Sequence, residues 1–239
     1  MDVYKINDLT ELLKDNSYVG RGIIIGKSDD GKYAVTAYFI EGRSANSQNR
    51  IFVENEDGLF TRAFDESKVV DPSLIIYRAL TEHENRLIVT NGDQTDTIVS
   101  GLKENKTFME SLMTREFEPD APNYTPRISG ILKFADNDFD YEMAILKSGD
   151  EKGCFCNRFH YMYTPINGLG HFIHTYACNG DPCPSFVGEP ERIAIKGDID
   201  SFTDEVWNAL DSNNRISLYV RYVDLTTGEK TSRLVNKNK

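Results

Sequence analysis

The chain has 239 residues, a formal net charge of −11, and 39% hydrophobic residues that include 13 Phe and 12 Tyr. So many aromatic residues exclude an intrinsically disordered chain, and a chain of this length buries roughly 70% of its unfolded surface. Lysine and arginine form no run or stripe, which argues against a nucleic-acid partner because such binding needs a concentrated positive surface.

The N-terminal half predicts one short helix followed by antiparallel strands. Apolar residues at helical spacing predict a helix over residues 6–13 that starts near Asn7 or Asp8. Apolar runs at residues 18–25 and 33–40 flank a Ser-Asp-Asp-Gly turn and predict a β-hairpin. After a polar loop, further strands are predicted over residues 51–53, 74–80 and 86–90.

The second half begins with helical spacing and then returns to strands. A helical stretch is predicted from residue 95 to about residue 113, with Thr95 as N-cap and a break at Glu104 and Asn105. A helix is predicted over residues 203–210, and a last hairpin turns at residues 226–229. Strands are predicted over residues 128–134, 141–146, 155–163, 171–177, 193–195 and 216–223. Runs of strands interrupted by a central helical pair predict an α+β layered domain.

Four polar strings lie at the ends of the predicted strands or between them, and they combine Gly, Asn, Thr and Arg. Arg21 lies within an apolar strand, where a charge is costly unless it is paired or faces a pocket. Arg43 and Arg50 bracket a loop with small polar side chains such as Ser44 and Asn49, and guanidinium groups suit phosphate recognition. Each arginine could equally form a surface ion pair, and each Asn-Gly a simple turn. Together the strings indicate a pocket for an anionic small molecule.

The cysteines and the glycine pattern carry less information. No glycine-rich dinucleotide or phosphate-loop motif is present. The cysteines lie near three histidines, but they lack the paired Cys-x-x-Cys spacing of structural zinc sites. A zinc site or a disulfide is therefore less favoured than free or buried thiols. The cysteines are Cys154, Cys156, Cys178 and Cys183.

The polar strings, in their order and spacing, are similar to those of a known enzyme family. YVGRGIIIGK, GRSANSQNRIF, NGDQTDTI and TPRI resemble the archaeal-type IMP cyclohydrolase family and its bacterial relatives over residues 18–130. The later string GLGHFIHTYACNGDPCPSFVGEP resembles the bacterial branch. The resemblance implies closure of 5-formamidoimidazole-4-carboxamide ribotide (FAICAR) to IMP with loss of water, without metal or organic cofactor. It also implies a four-layer αββα sandwich resembling N-terminal nucleophile hydrolases, without autoprocessing.

Ring closure needs a close approach of the reacting atoms, a donor for the oxygen that gains charge, and a proton shuttle. In archaeal members an acid lies just ahead of the Thr-Pro-Arg string, and here the nearest acids are Glu118 and Asp120. The implied catalytic residues are Tyr77, Arg43, Glu118 and Asp120. The implied substrate-binding residues are Arg21, Ser44, Asn49, Arg50, Asn91, Gly92, Thr95, Asp96, Thr125, Arg127 and His174.

Several of these residues have a structural alternative. Tyr77 could be a core tyrosine with a satisfied hydroxyl, and Asp96 could only stabilise a helix N-terminus. If residues 171–176 are a strand, His171 and His174 face opposite sides, so one of them is structural.

Alternatives also stay open for the function. One is a related amidohydrolase or cyclase acting on another ribotide, and another is a sensor that binds purine nucleotides without turnover. We expect a single domain over residues 1–239, a small nucleotide as partner, no nucleic acid and no membrane contact, a homo-oligomer, and a cytoplasmic location. No apolar run approaches the ~18 residues of a membrane helix, and the N-terminus lacks the apolar segment of a signal peptide.

Overall fold

The computed structural model describes residues 2, 4–69 and 76–238, and this part of the chain forms two antiparallel β-sheets with short helices. The strands are β1 (Arg21–Lys27), β2 (Tyr33–Glu41), β3 (Arg50–Asn55), β4 (Gly58–Ala63), β5 (Arg78–His83), β6 (Arg86–Thr90), β7 (Arg127–Ala135), β8 (Asp138–Ser148), β9 (Cys156–Tyr163), β10 (Leu169–His174), β11 (Glu191–Ala194), β12 (Arg215–Asp224) and β13 (Lys230–Asn236). The helices are α1 (Leu9–Leu13), α2 (Ala45–Gln48), α3 (Gln94–Lys103), α4 (Phe108–Leu112) and α5 (Ile199–Ala209), and Glu66–Lys68 is a 3₁₀ turn.

The two sheets differ in strand order. Sheet A has the strand order β11-β10-β1-β2-β12-β13, so strands from the C-terminal half of the chain flank the first hairpin on both sides. In its centre, Ile24 of β1 lies opposite Phe172 of β10 and Ala37 of β2. Sheet B is a meander in which β3 to β9 pair in chain order.

Alternation along β1 shows how the layers pack. Ile23 and Ile25 belong to the core between the sheets, which Leu132 of sheet B shares. Ile24, between them, points to the opposite face and packs in a cluster with Phe202 of α5. Successive strand residues point to opposite faces, so three adjacent isoleucines serve two cores. Burying each of them stabilises the fold by about 1.5–3 kcal/mol.

A third cluster covers the outer face of sheet B. Ile88 and Ile131 of the sheet pack there against Ile98 of α3 and Phe108 of α4. The layers therefore run helices, sheet A, sheet B, helices. The prediction of an α+β protein is confirmed.

Most predicted elements are present, and their ends follow local capping. The first hairpin and the strand Arg86–Thr90 form as predicted, and the helical stretch breaks between α3 and α4. Asp8 caps α1 by accepting from the Glu11 amide. Helix α5 begins four residues earlier than predicted, because the Asp198 side chain accepts from the Ser201 amide at 2.8 Å.

Other predictions were wrong or lie outside the described residues. Thr95 is not an N-cap: α3 begins one residue earlier with Asp93 at that position, and the Thr95 hydroxyl lies 2.6 Å from that of Thr90. The strand Gly58–Ala63 was not predicted. Residues 70–75 lie outside the described residues, so only the end of the strand predicted over 74–80 is testable, and β5 begins at Arg78. The longest described helix has 11 residues, so no helix in this part of the chain could cross a membrane.

Candidate active site

A cavity of about 260 Å³ opens where three of the four polar strings meet the residues that follow β10. It lies at the start of β1, beside the loop that carries α2, the segment ahead of β7 and the residues after β10. Its lining residues are Tyr18, Arg21, Arg43, Ser44, Asn46, Ser47, Arg50, Glu118, Asp120, Asn123, Thr125 and Tyr176.

A second cavity, of about 300 Å³, lies at the hairpin turns near residues 82–87 and 134–138. Its lining contains Arg86 and Lys230 but several more carboxylates, including Glu82, Glu84 and Asp136. A lining with an acidic excess repels an anionic ligand, whereas the first cavity collects three arginines. We therefore take the arginine cavity as the candidate site.

The arginines of this cavity form no close ion pair with the described residues. Among the described residues, none of Arg21, Arg43 and Arg50 has a carboxylate within 4 Å. Arg50 is 2% exposed, and its Nε donates to the Ser47 carbonyl at 2.9 Å. The Nε of Arg21 is buried without a hydrogen-bond partner. Burial, reinforced by the charge of Arg21, lowers the pKa of Arg50. Buried unpaired guanidinium groups are costly, so the cavity is suited to an anion that pairs with them.

Arg43 and the short helix α2 form the rim. The Nη1 of Arg43 donates to Asn179 Oδ1 at 2.6 Å and to the Gly180 carbonyl at 2.7 Å, and the guanidinium lies 4.8 Å from the Tyr18 ring centre. Ser44 caps α2 by accepting from the Ser47 amide at 3.1 Å. These local bonds hold the loop between β2 and β3 in place above the buried arginines.

Glu118 is the titratable carboxyl group of the cavity. It is 3% exposed, and no basic group lies within 4 Å of it among the described residues. Burial raises its pKa, and the charges of Arg21 and Arg127 act against that rise. A buried carboxyl with a raised pKa, beside cations in a cavity, has the properties of a general acid or base.

Arg127 lies behind Glu118, outside the cavity lining. Its Nη1 donates to Asp93 Oδ1 at 2.7 Å and to Gln94 Oε1 at 2.9 Å. Gly92 makes room for it, since a Cβ at that position would lie 2.6 Å from Arg127 Nη1 and 3.5 Å from Glu118 Oε1. Gly92 and Arg127 thus lie close to Glu118 and do not line the cavity.

Asp120 and Thr125 form a hydrogen-bonded unit in the same cavity lining as Glu118. The Thr125 amide donates to Asp120 Oδ1 at 2.7 Å, and the Thr125 hydroxyl bonds to Asp120 Oδ2. The same hydroxyl lies 2.6 Å from that of Tyr176, whose ring stacks on Tyr18 with centres 5.7 Å apart. Both Asp120 oxygens are therefore engaged, unlike those of Glu118.

Tyr77 does not line the cavity but lies next to its arginines. It is 6% exposed, and its hydroxyl is 2.6 Å from that of Tyr38. The Tyr77 hydroxyl is close enough to Arg21 and Arg50 to interact electrostatically with both. Tyr77 therefore packs as a core tyrosine with a satisfied hydroxyl, which is the structural alternative given above. It also lies next to the cavity.

Three predicted binding residues instead hold loops and strands together. Asn49 exchanges two 2.8 Å hydrogen bonds with the backbone of Asp65. Asn91 donates to the Pro126 carbonyl at 2.9 Å and accepts from the Ile128 amide at 2.8 Å. Thr95 is fully buried and outside the lining. Asparagine amides satisfy backbone groups in loops as readily as they bind ligands, which explains why Asn49 and Asn91 lie outside the lining.

Asp96 and His174 also lie outside the cavity lining. Asp96 is an exposed residue of α3 that forms an ion pair with Arg78. The Nδ1–H of His174 donates to the Tyr176 carbonyl at 2.7 Å, and its ring packs against Phe172 and Phe186. Burial lowers the pKa of His174 to about 4, so it is neutral and structural.

Five lining residues were not predicted individually, although they lie inside or next to the strings that were singled out. The predicted residues of those strings stand out by their charge. The five others could have been found only because each lies next to an arginine or a turn in the sequence. They are Tyr18, Asn46, Ser47, Asn123 and Tyr176. Elsewhere, the four cysteines are free thiols, and no three His, Cys, Asp or Glu residues of the described chain come together as a metal site requires.

The fold and the cavity define a class: an α+β two-sheet protein whose arginine-lined cavity is suited to a small anionic ligand and contains a buried carboxyl group. A family model described as "IMP cyclohydrolase-like protein" matches residues 18–229, and the chain belongs to that family. The resemblance found in the polar strings is thereby confirmed.

Individual relatives are more distant. The IMP cyclohydrolase of Methanococcus aeolicus is 26% identical over 173 residues, which cover 67% of this chain and 75% of the relative. That of Methanosphaera stadtmanae is 30% identical over 119 residues, or 48% of this chain and 57% of the relative. That of Methanopyrus kandleri is 33% identical over 116 residues, or 47% and 57%. In the last two cases the chain spans little more than half the length of the relative.

Proposed function

We propose that this protein is an IMP cyclohydrolase that closes FAICAR to IMP with loss of water. One observation carries the proposal: in the cavity that also contains the buried carboxyl of Glu118, Arg50 is buried and the Nε of Arg21 is buried without a hydrogen-bond partner, and neither arginine forms an ion pair among the described residues. Membership of the IMP cyclohydrolase-like family supports it. A ribotide supplies the missing anion through its phosphate group, and guanidinium groups bind phosphate with two parallel hydrogen bonds.

Ring closure requires the carboxamide nitrogen to attack the formyl carbon. That nitrogen is a poor nucleophile, so fixing the ribotide by its phosphate contributes most by holding the two atoms close, an effect of several kcal/mol. The guanidinium groups also stabilise the oxygen of the formyl group as it gains negative charge.

Proton transfers complete the reaction. The attacking nitrogen loses a proton as the N–C bond forms, and the formyl oxygen gains a proton to give the carbinol. The carbinol oxygen then takes up a second proton and leaves as water, while the formamido nitrogen loses its proton and the C=N bond of the new ring forms. We assign Glu118 to these transfers because it is a buried carboxyl in the cavity and burial raises its pKa, which makes it a better proton acceptor than an ordinary carboxylate. Tyr77 assists from its place next to Arg21, and Asp120 holds Thr125 in the cavity lining.

We extend the proposal to features that the family resemblance implies. They are a likeness of the αββα layers to N-terminal nucleophile hydrolases without autoprocessing, one domain over residues 1–239, a homo-oligomer and a cytoplasmic location. The layer order of helices, sheet A, sheet B and helices supports the first of these.

The direct test is an ultraviolet assay of FAICAR cyclisation with purified, metal-free protein, together with titration by IMP. Turnover is the expected result. IMP binding without turnover would favour the nucleotide sensor, and turnover of a different ribotide would favour the related cyclase or amidohydrolase. If the folded protein neither turns over FAICAR nor shows a thermal shift with IMP, the proposal is wrong.

A further inference from the structure

The hydrogen bonds that join Asp120, Thr125 and Tyr176 have a defined direction. A carboxylate can only accept hydrogen bonds. Its Oδ1 accepts the Thr125 amide at 2.7 Å, and its Oδ2 accepts the Thr125 hydroxyl proton. The only proton on the Thr125 hydroxyl is therefore committed to Asp120.

Because the Thr125 hydroxyl donates to Asp120, the direction of its hydrogen bond with Tyr176 is determined. The Thr125 oxygen can only accept from Tyr176, so the Tyr176 hydroxyl donates its proton across the 2.6 Å that separates the two oxygens. Burial raises the pKa of Tyr176, which keeps that proton on the phenol. Stacking on Tyr18 holds the ring in place.

The Tyr176 oxygen is left as a pure acceptor on the wall of the cavity. Its proton is committed, and no other group of the described residues donates to it. Tyr176, Thr125 and Asp120 all line the same cavity as the unpaired arginines. A ligand held there by its phosphate meets an acceptor whose hydrogen bond only an O–H or N–H group can satisfy.

We propose that Tyr176 determines specificity by accepting a hydrogen bond from a donor group of the bound nucleotide. This inference rests on the proposed function, which supplies a ribotide with two kinds of donor: the ribose hydroxyls and the ring or amide N–H. A ligand that lacks the donor leaves the Tyr176 oxygen desolvated and unpaired, which weakens binding by roughly 10-fold.

Calorimetric titration with four nucleotides tests the inference. The probes are IMP, 2′-deoxy-IMP, 3′-deoxy-IMP and purine riboside 5′-monophosphate, which lacks the N1–H. In the unaltered protein one analogue is expected to bind roughly 10-fold more weakly than IMP. In Tyr176→Phe the ratio of the dissociation constants of that analogue and IMP falls to about 1, because the acceptor is gone. In Tyr161→Phe the ratio stays as in the unaltered protein. Tyr161 is a suitable control because its hydroxyl donates to the Gly188 carbonyl outside the cavity.

A second variant tests the direction and not merely the presence of the hydroxyl. In Asp120→Asn, the Thr125 amide keeps the amide oxygen at the Oδ1 position, so the new NH₂ group faces the Thr125 hydroxyl. That hydroxyl then donates to Tyr176, and Tyr176 turns its own proton toward the ligand. Discrimination against the donor-lacking analogue is expected to disappear although Tyr176 is intact.

The outcomes separate this inference from the function on which it rests. If the unaltered protein binds no IMP, the proposed function fails. If it binds IMP and all three analogues equally, or if the same discrimination persists in folded Tyr176→Phe and Asp120→Asn variants, the assignment of Tyr176 is overturned.

Discussion

The hydroxyl oxygens of Tyr38 and Tyr77 lie 2.6 Å apart in the core between the sheets, next to the arginines of the cavity. Tyr38 is fully buried, and burial together with the Tyr77 hydroxyl raises its pKa well above the usual range. The two hydroxyls share one hydrogen bond, so the proton of one of them is not used in it. Tyr77 is the slightly exposed member of the pair. Tyr77, which does not line the cavity itself, is therefore the member of the pair that we propose acts on the ligand.

We expect Tyr77→Phe to lower kcat for FAICAR cyclisation by about 100-fold, the usual size of a lost proton-transfer group. IMP affinity should change by less than about 3-fold, because the arginines that bind the phosphate are retained. Tyr38→Phe removes the other hydroxyl of the same pair and should reduce kcat less. Steady-state kinetics and IMP titration measure both effects, and an unchanged kcat in Tyr77→Phe contradicts the assignment.

Glu118→Gln should abolish most of the turnover while the fold is retained. The loss expected for a general acid–base residue is about 100- to 10,000-fold in kcat. Because burial raises the pKa of Glu118, the rate of the unaltered enzyme should vary with pH above the range of an ordinary carboxyl, and this limb should vanish in the variant. Glu116→Gln, which alters an exposed glutamate two residues away, is the matched control. Equal pH–rate profiles for all three proteins would rule out Glu118.

Arg50→Met separates ligand binding from stability. Loss of a charge-assisted phosphate contact should weaken IMP binding by roughly 10- to 100-fold, equivalent to about 1.5–3 kcal/mol. The free energy of unfolding of the ligand-free variant should stay within about 1 kcal/mol, because removal of a buried unpaired charge offsets the lost bond to Ser47. Arg62→Met changes an exposed arginine and should alter neither quantity. A large loss of stability with unchanged IMP affinity would mean that Arg50 is structural.

His174 should make the fold labile to acid. Its pKa is about 4 in the native protein, lowered by burial, against about 6.5 when unfolded. Between these values the unfolded chain takes up a proton that the native protein does not, so the free energy of unfolding falls by about 1.4 kcal/mol per pH unit as the pH decreases. His174→Asn should flatten the fall between pH 7 and pH 5 by about 2 kcal/mol, as measured by urea denaturation at both pH values. An identical fall in the variant would refute this role.

The fold was predictable where local chemistry decides the outcome. Strand β6 has the predicted bounds because β-branched residues end abruptly at Asn91 and Gly92. The first hairpin follows from its turn and from the alternation of Ile23 to Ile25. Strand β4 was missed because its sequence, Gly58 to Ala63, has weak apolar alternation and is held by pairing with β3.

The site was only partly predictable because its assembly is not local. Arg21 begins a strand of sheet A and Arg50 a strand of sheet B, and only the packing of the two sheets brings them to one cavity. The sequence singled out both arginines but could not show that Asn49 and Asp96 point elsewhere. Nor could it show that Tyr176 is fixed by Thr125, a residue 51 positions away.

Calorimetric comparison of IMP with inosine, the same nucleoside without its phosphate, tests the central claim most directly. If the unpaired guanidinium groups of Arg21 and Arg50 form the phosphate site, IMP binds at least about 100-fold more tightly than inosine, and added salt narrows the difference. Equal affinity for the two compounds, or binding of neither by the folded protein, would contradict the account.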